Sequence, residues 1–528
     1  GSNPVNVVGN NGSFTGNSQA FTQTYGDAIL NFNIPMKSDF KINGLLGASI
    51  TNQNTVGQSY GAGSGLAIPN VFILQNVIAS ASSPVSTLPA NHNQIQSVFG
   101  NLNLSYKSWL YLDLTGRNDW SSNLAFTNNE SYFYPSVGLS FILSDVVSLP
   151  KFIDFAKLRG SYAEVASPVP QYITNPINYL ANGGAVTFNT VEPNPALKPT
   201  NTKSKEAGVD LRLFEDRVRF NFTWYQNNTY NQFIQYTPAA STGYTVGYLN
   251  AGNIQNKGVE FTLSYDVIKD RTLKWNTSIN YSSNKNTIIE LNPAAPNAPI
   301  WLTNYSPNAY GSALVKGGSW GDIYGVKFER SSKTGQIMLN SSDQPINNNT
   351  FVKVGNANPK WQMGWSNDFN YKNFDLSFLI DGKFGGQVLS MTQMMMDSYG
   401  VSLATGQARD KGSVTISGVD PNGNAVTSVN PQQWYATIGG RSGIAEAYIY
   451  SATVVRLRQV SLGYNFPIET GFIKGIRLSL IGSNLFYFYK KAPYDPETTM
   501  STGNGMSGVD VFTQPTTRNL GAQLNVTF

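Results

Sequence analysis

The chain has 528 residues, of which 13% are charged and 12% aromatic; it has no cysteine, a single histidine (His92) and a net charge of +5. Without cysteine there is no disulfide scaffold, thiolate nucleophile or Cys-ligated zinc, and one histidine excludes a His-rich metal site. The mild charge, with aromatics spread along strands, gives no case for nucleic acid. Abundant Gly, Tyr and Phe suit aromatic strands joined by tight turns. No apolar run approaches the ~20 residues of a membrane helix. The start, GSNPVNVVGNNGSF, lacks the basic and apolar regions of a signal peptide. A mean hydropathy of −0.23 does not exclude a transmembrane barrel, because alternating strands average out.

Period-2 alternation marks about fifteen segments, centred near residues 31, 46, 100, 114, 138, 159, 208, 223, 260, 279, 366, 378, 459, 480 and 522. VRFNFTWY sets Val218, Phe220, Phe222 and Trp224 against Arg219, Asn221, Thr223 and Tyr225. GVEFTLSYDV sets Val259, Phe261, Leu263, Tyr265 and Val267 against Glu260, Thr262, Ser264 and Asp266. LKWNTSINY and FDLSFLI repeat the pattern. The last segment, RNLGAQLNVTF, alternates Leu520, Ala522, Leu524, Val526 and Phe528 with Asn519, Gly521, Gln523, Asn525 and Thr527. Such strands belong to a sheet with two unlike faces.

The connections predict which end of each strand lies where. Short turns fall at 36–39, 107–108, 214–217, 267–271 and 371–373, with somewhat longer ones at 144–154 and 466–473. Between them lie long connections near 54–92, 120–131, 165–202, 230–251, 287–359, 386–446 and 488–514. An outer-membrane barrel has this rhythm, with short periplasmic turns and long outer loops. Its aromatic girdles would account for Phe40, Trp109, Phe214, Tyr371 and Phe374 at strand ends. The expected fold is therefore all-β, an antiparallel transmembrane β-barrel with long extracellular loops. A soluble β-sandwich array is the alternative, but many segments are long enough to cross a bilayer at a tilt. Parity places residues 1–26 in an outer loop leading into the first strand and 27–528 in the barrel. Fifteen strands do not make the even number of a complete barrel, so the expectation is the C-terminal part of a larger one.

The chain carries, in order, LDLTGRNDWSS (112–122), YPSVGLSFILSD (134–145), FAKLRGSYAEVAS (155–167) and NPALKPTNTKSKEAGVDLRLFEDRVRFNFTWYQNNT (194–229). NIQNKGVEFTLSYDV (253–267), GNANPKWQMGWSNDFNYKNFDLSFLIDGKFGG (355–386), VVRLRQVSLGYNFP (454–467) and the final strand follow. In their order and spacing these stretches resemble the SusC/RagA-like TonB-dependent transporters of the Bacteroidetes outer membrane. The resemblance implies a barrel of about 22 strands with a plugged lumen. It also implies a SusD-like surface lipoprotein as lid, and energisation by TonB through an N-terminal segment. The plug, the TonB segment and the early strands are expected on a part outside this sequence. The implied solute is a glycan or peptide, specifically an oligosaccharide or oligopeptide. A scaffold in a surface, adhesion or secretion complex is the alternative function. Phe528 resembles the C-terminal aromatic that hands outer-membrane proteins to the insertion machinery.

No catalytic residue, cofactor or metal is expected. Asp495 and Glu497 form a carboxylate pair but read as a solvated loop. Asp420-Pro-Asn-Gly-Asn424 starts like a calcium loop, yet Ala425 and Pro431 replace the required Gly and Glu, so a plain turn is expected. The loop aromatics Trp301, Tyr305, Tyr310, Trp320, Tyr324, Trp434 and Tyr435 combine apolar area with a polar handle, which suits contact with solute or lid. Packing of the loops on one another is the competing reading. Arg117, Asn118 and Asp119 are lumen candidates near an outer strand end. Arg159, Arg212, Arg219, Arg456, Arg458 and Arg477 are expected to face the lumen, because charge on the lipid face costs about 2–4 kcal/mol at mid-membrane. Their expected partners are carboxylates of the plug.

Overall fold

The computed structural model describes residues 11–36, 39–60, 65–78, 85–180, 184–236, 238, 240–291, 297–304, 310–468, 471–500 and 507–528. Fifteen strands form one antiparallel sheet in which every strand pairs with its sequence neighbours. They are β1 Gly16–Pro35, β2 Phe40–Tyr60, β3 Val85–Tyr106, β4 Leu110–Ser121, β5 Ser131–Ile142, β6 Ile153–Ser167, β7 Thr200–Leu213 and β8 Val218–Tyr236. The rest are β9 Gly247–Lys269, β10 Leu273–Glu290, β11 Trp361–Tyr371, β12 Phe374–Phe384, β13 Val454–Phe466, β14 Gly475–Lys490 and β15 Asn519–Thr527. Each segment centre read from alternation falls inside one of these strands. β1 and β15 form the two edges of the sheet.

The strands run further than apolar alternation predicts. β1 begins at Gly16, ahead of residue 27, and β2 continues through the polar run NQNTVGQSY to Tyr60. Ladder hydrogen bonds need no apolar side chains, so pairing continues beyond the stretch that alternates. In consequence the strict alternation of long and short connections fails at two places. The connections 122–130 and 237–246 are no longer than the turn side's 143–152.

By compactness the chain divides into two units, residues 1–139, 161–203 and 229–251 in the first and the remainder in the second. In the first unit, Leu124, Val169, Ile173 and Leu197 from between the strands form an apolar cluster with Tyr132 at the start of β5. Aromatics gather at the short-turn ends: Phe40 lies 4.6 Å from Tyr106, and Tyr106 5.4 Å edge-on from Trp109.

The second unit has a similar group of aromatics, with Phe152 against Phe214 and Phe374 against Tyr464. Its outward face carries a cross-strand ladder running Phe220, Phe261, Tyr281, Trp361, Phe384. Aromatic pairs of this kind stabilise a sheet beyond the area they cover.

The long connections of the second unit are folded rather than looped. Segments Ile300–Asn304, Tyr310–Leu314, Asp322–Gly325 and Val352–Asn356 form a four-stranded sheet. Three short helices follow: α1 Met391–Ser398, α2 Leu403–Lys411 and α3 Pro431–Ile438. Each has a cap dictated by sequence. The Ser390 and Ser402 side chains accept from Gln393 N and Thr405 N, and Asn430 accepts from Gln432 N and Gln433 N ahead of Pro431 at the first turn. Gly412 closes α2 at φ +78°, in the left-handed region that favours glycine. These elements bury Tyr310, Ile323, Phe328, Leu339, Leu389, Met394, Trp434, Ile438, Ile444, Tyr448 and Val509 in one core.

Candidate functional site

Alternation gives the sheet one apolar and one polar face, and the polar face carries the charge. In the first unit Arg117 on β4 is 2.7 Å from Asp119 Oδ1 and donates to Ser97 Oγ at 2.8 Å. The Tyr134 hydroxyl donates to the other Asp119 oxygen at 2.6 Å. Asn118, between them, points to the opposite face and donates to Ser131 Oγ. The lumen candidates thus divide, because successive side chains on a strand face opposite ways.

In the second unit Arg219 bridges β8 and β9 to Asp266, which also accepts from Asn276. Arg159 pairs with Asp210, and Arg477 donates to Asp375 Oδ1 at 3.1 Å. Arg212 pairs with Asp216.

The densest network lies where β12 and β13 leave the sheet on the long-connection side. Arg456, 1% exposed, holds Asp495 at 2.8 Å, Asp381 at 3.3 Å and Glu497. Arg458 is 2.5 Å from Asp381 Oδ2 and 2.9 Å from Glu497, and Lys383 is 3.0 Å from Glu497. The Thr516 hydroxyl donates to Asp495 at 2.6 Å.

Two expectations are corrected here. Asp495 and Glu497 are not a solvated pair; they tie the segment just after β14 to Arg456 and Arg458 on β13. Arg456 and Arg458, like Arg159, Arg212, Arg219 and Arg477, find their carboxylates within this chain rather than on a plug. A buried guanidinium needs several carboxylate and hydroxyl partners to offset its desolvation. Those partners sit at distant positions in the sequence, which is why the pairing escaped it. The signal available was the match of Arg456-x-Arg458 on one strand face with Asp495-x-Glu497.

The loop aromatics do not form a single patch. Trp301 meets Tyr324 and Phe351 edge-on, each at 5.8 Å. Tyr310 and Trp320 border a separate small hollow, and the Trp320 backbone N–H donates to Asn286 Oδ1 at 2.7 Å. Trp434 is buried and stacked 5.8 Å from Phe328, in the core. Tyr305 lies outside the described residues. Of the six that are described, Tyr435 alone lines a cavity between the helices, with Asp397, Tyr399, Thr405, Arg409 and Gln432. Burial and the nearby Asp397 carboxylate push the Tyr435 and Tyr448 hydroxyls up, so both remain protonated donors at neutral pH.

Asp420 caps a turn: its Oδ1 accepts from Asn422 N and Asn424 N, both at 2.8 Å, between Val414–Val419 and Ala425–Val429. At the chain's end Leu524 pairs with Leu478 and Val526 with Ile476, while the Phe528 ring lies 5.1 Å from Phe472.

A large antiparallel sheet with an apolar outer face, a charged inner face and folded connections on one side defines an outer-membrane β-barrel. The family profile "TonB dependent receptor-like, beta-barrel" matches residues 2–366, and the chain belongs to this family, a family of transporters rather than enzymes. It is similar to TonB-dependent receptor P3 of Formosa agariphila, 25% identical over 88% of this chain and 49% of that protein. It is also similar to TonB-dependent receptor SusC of Bacteroides thetaiotaomicron, at 23% over 81% of this chain and 43% of that one. The fold matches the RagAB peptide importer in its "open-open" state with a TM-score of 0.77 at 17% identity, covering 97% of this chain and 55% of that chain. The barrel is SusC/RagA-like, and the chain spans about half the length of the curated relatives it matches.

Proposed function

We propose that this chain is the barrel wall of a TonB-dependent importer for oligosaccharides or oligopeptides, working beneath a SusD-like surface lipoprotein. The observation that carries this reading is the polar inner face, lined with hydrogen-bonded charge from β4 to β14, below an outer layer folded tightly enough to seat a lid. Paired Arg and Asp groups make a wetted wall that costs little to hydrate, as a solute path requires. The proteins it is similar to include a peptide importer and SusC, which supports uptake over scaffolding. In this reading residues 16–528, from the start of β1, belong to the barrel, and a plug and the segment that meets TonB come from the part of the protein outside this sequence. Arg117 and Asp119 face the solute path, and Phe528 is the insertion signal.

The test is uptake by cells in which the full-length gene is deleted and restored, with and without TonB. Restored, TonB-dependent growth on oligosaccharide or peptide, together with co-purification of a surface lipoprotein, is the expected result. Growth that is indifferent to both the gene and TonB, with a stable surface complex still formed, would replace import by the scaffold role.

A further inference from the structure

We propose that Lys257 and Lys285, on the outward face of β9 and β10, hold the phosphate of an anionic lipid in the outer leaflet. The two lysines are partners across the antiparallel ladder, and both are exposed. Residues directly opposite on neighbouring strands share a face with Cβ atoms about 4.5–5.5 Å apart, and like charges so placed are destabilising. Among the described residues no carboxylate pairs with either ammonium group. Glu260, the nearest acid along β9, is an odd number of positions from Lys257 and so faces inward, beside Thr262 and Asn280. On the inner face, by contrast, Arg159, Arg219 and Arg477 each have a carboxylate of this chain.

The depth of the pair follows from the tiers beneath it. Going outward along the two strands, Leu263 faces Ile279, Phe261 faces Tyr281, Val259 faces Ser283, and Lys257 faces Lys285. The Phe261 and Tyr281 rings stack with centroids 5.0 Å apart. Apolar, aromatic and cationic tiers in this order match acyl chains, interface and headgroups. A tilted strand crosses the hydrocarbon in about 9–11 residues, and β10 spends that length between Leu273 and Ser283. Lys285 comes next. A lysine stem covers apolar surface while its ammonium group stays in the polar layer. The long connections lie at this end of β9 and β10, which makes the leaflet the outer one.

Position and charge decide the ligand class. Solute in the lumen does not meet the outward face, so the pair is no part of the solute path. An anion at this depth stands directly over tiers that face hydrocarbon, which suits one tethered to acyl chains. Two opposed ammonium groups supply charge and donors to the oxygens of a single phosphate, and their repulsion is relieved once it sits between them. Lys285 also walls a hollow of about 480 Å³ whose lining includes Lys353 and Lys360 and no carboxylate. Asp322 holds Lys353 at 2.6 Å, while Lys360 has no carboxylate partner among the described residues. Lys285 therefore has a further cation on each side, Lys257 across the ladder and Lys360 across the hollow. The inference rests on the barrel's place in the outer membrane and is independent of the import reading.

The test uses the full-length protein in detergent, with retained ligand read by native mass spectrometry. The probes are phosphorylated lipid A, its dephosphorylated form, inorganic phosphate and a polyglutamate peptide. Phosphorylated lipid A should stay bound, and the dephosphorylated form should bind at least tenfold more weakly. The double variant Lys257→Gln, Lys285→Gln should lose tenfold or more, and Lys257→Arg, Lys285→Arg should retain binding. Lys333→Gln, at an exposed lysine of the outer layer, should change nothing. Both positions of the pair are exposed and their charges repel, so removing them does not threaten the fold. Equal binding of the dephosphorylated form would overturn the proposal. So would binding unchanged in the glutamine double variant, or weakened as much by Lys333→Gln, which would mean diffuse charge alone. Inorganic phosphate bound as tightly as the lipid would replace the lipid by a free anion. Preference for polyglutamate would replace it by an acidic protein partner.

Discussion

In the second unit, the strands and the outer layer use the same residue types in opposite ways. On β14 and β15 Leu480 is 57% exposed and Leu524 63%, whereas Leu314, Leu389 and Met394 in the outer layer are fully buried. The outer layer lies in water and must fold its leucines inward around Trp434 and Tyr448. The strands lie in hydrocarbon, where an outward leucine is already in its preferred medium and only the backbone must be satisfied within the sheet. Burial on its own therefore misreads this protein. What counts as a core depends on the solvent each face meets.

The largest test of that contrast falls at the joint between the two regions. Arg456→Ala should cost about 3–5 kcal/mol by leaving the buried Asp495 without a cation, while Asp381 and Glu497 keep Arg458. The connection 491–518 should then become cleavable by protease on intact cells, while the heat-modifiable gel shift of the barrel persists. Arg456→Lys should rescue only in part, because a lysine offers one point charge where three carboxylates are held.

Close in size, Trp434→Ala should cost about 3–5 kcal/mol by opening a void against Phe328. Its effect should appear as increased hydrogen exchange in α1 and α3, with β13 and β14 unchanged. If the strands exchanged equally, the outer layer would not be a separate core.

Leu480→Arg, midway along the apolar face of β14, should cost about 2–4 kcal/mol, read as a lowered midpoint for folding into lipid bilayers. An unaffected midpoint would mean that this face is not presented to lipid.

The smallest effect concerns Asp420. Hydrogen bonds from Asn424 and the turn backbone hold its carboxyl below the usual carboxylate range. Its stabilisation is thus present above the unfolded carboxylate's pKa and lost as pH falls through the depressed folded value. Exchange of the Asn422 and Asn424 amides should quicken only under such acid conditions, and in Asp420→Ala it should be fast at every pH.

The strands were legible because a residue's face in a sheet is decided by parity alone, and FNFTWY or LNVTF states its parity within a few positions. Their ends were less legible, since pairing at 52–60 continues on polar residues that carry no alternation. The outer helices were missed: MTQMMMDS and PQQWYATI are too short to set a helical period, and their caps show only once Ser390 and Asn430 are seen to accept. Tyr435 was picked out as an aromatic with a polar handle. Asp397 and Arg409, which complete its cavity, look like ordinary surface charges in the chain.

Alternation along the chain by itself determined the class of fold, the two faces of each strand and the side on which the folded connections gather. These are local properties, repeated every two residues. Tertiary structure alone decided which carboxylate meets Arg456, why Trp434 is core and Tyr435 is wall, and where three helices leave a cavity. Those depend on contacts between residues far apart in sequence, which only the folded chain brings together.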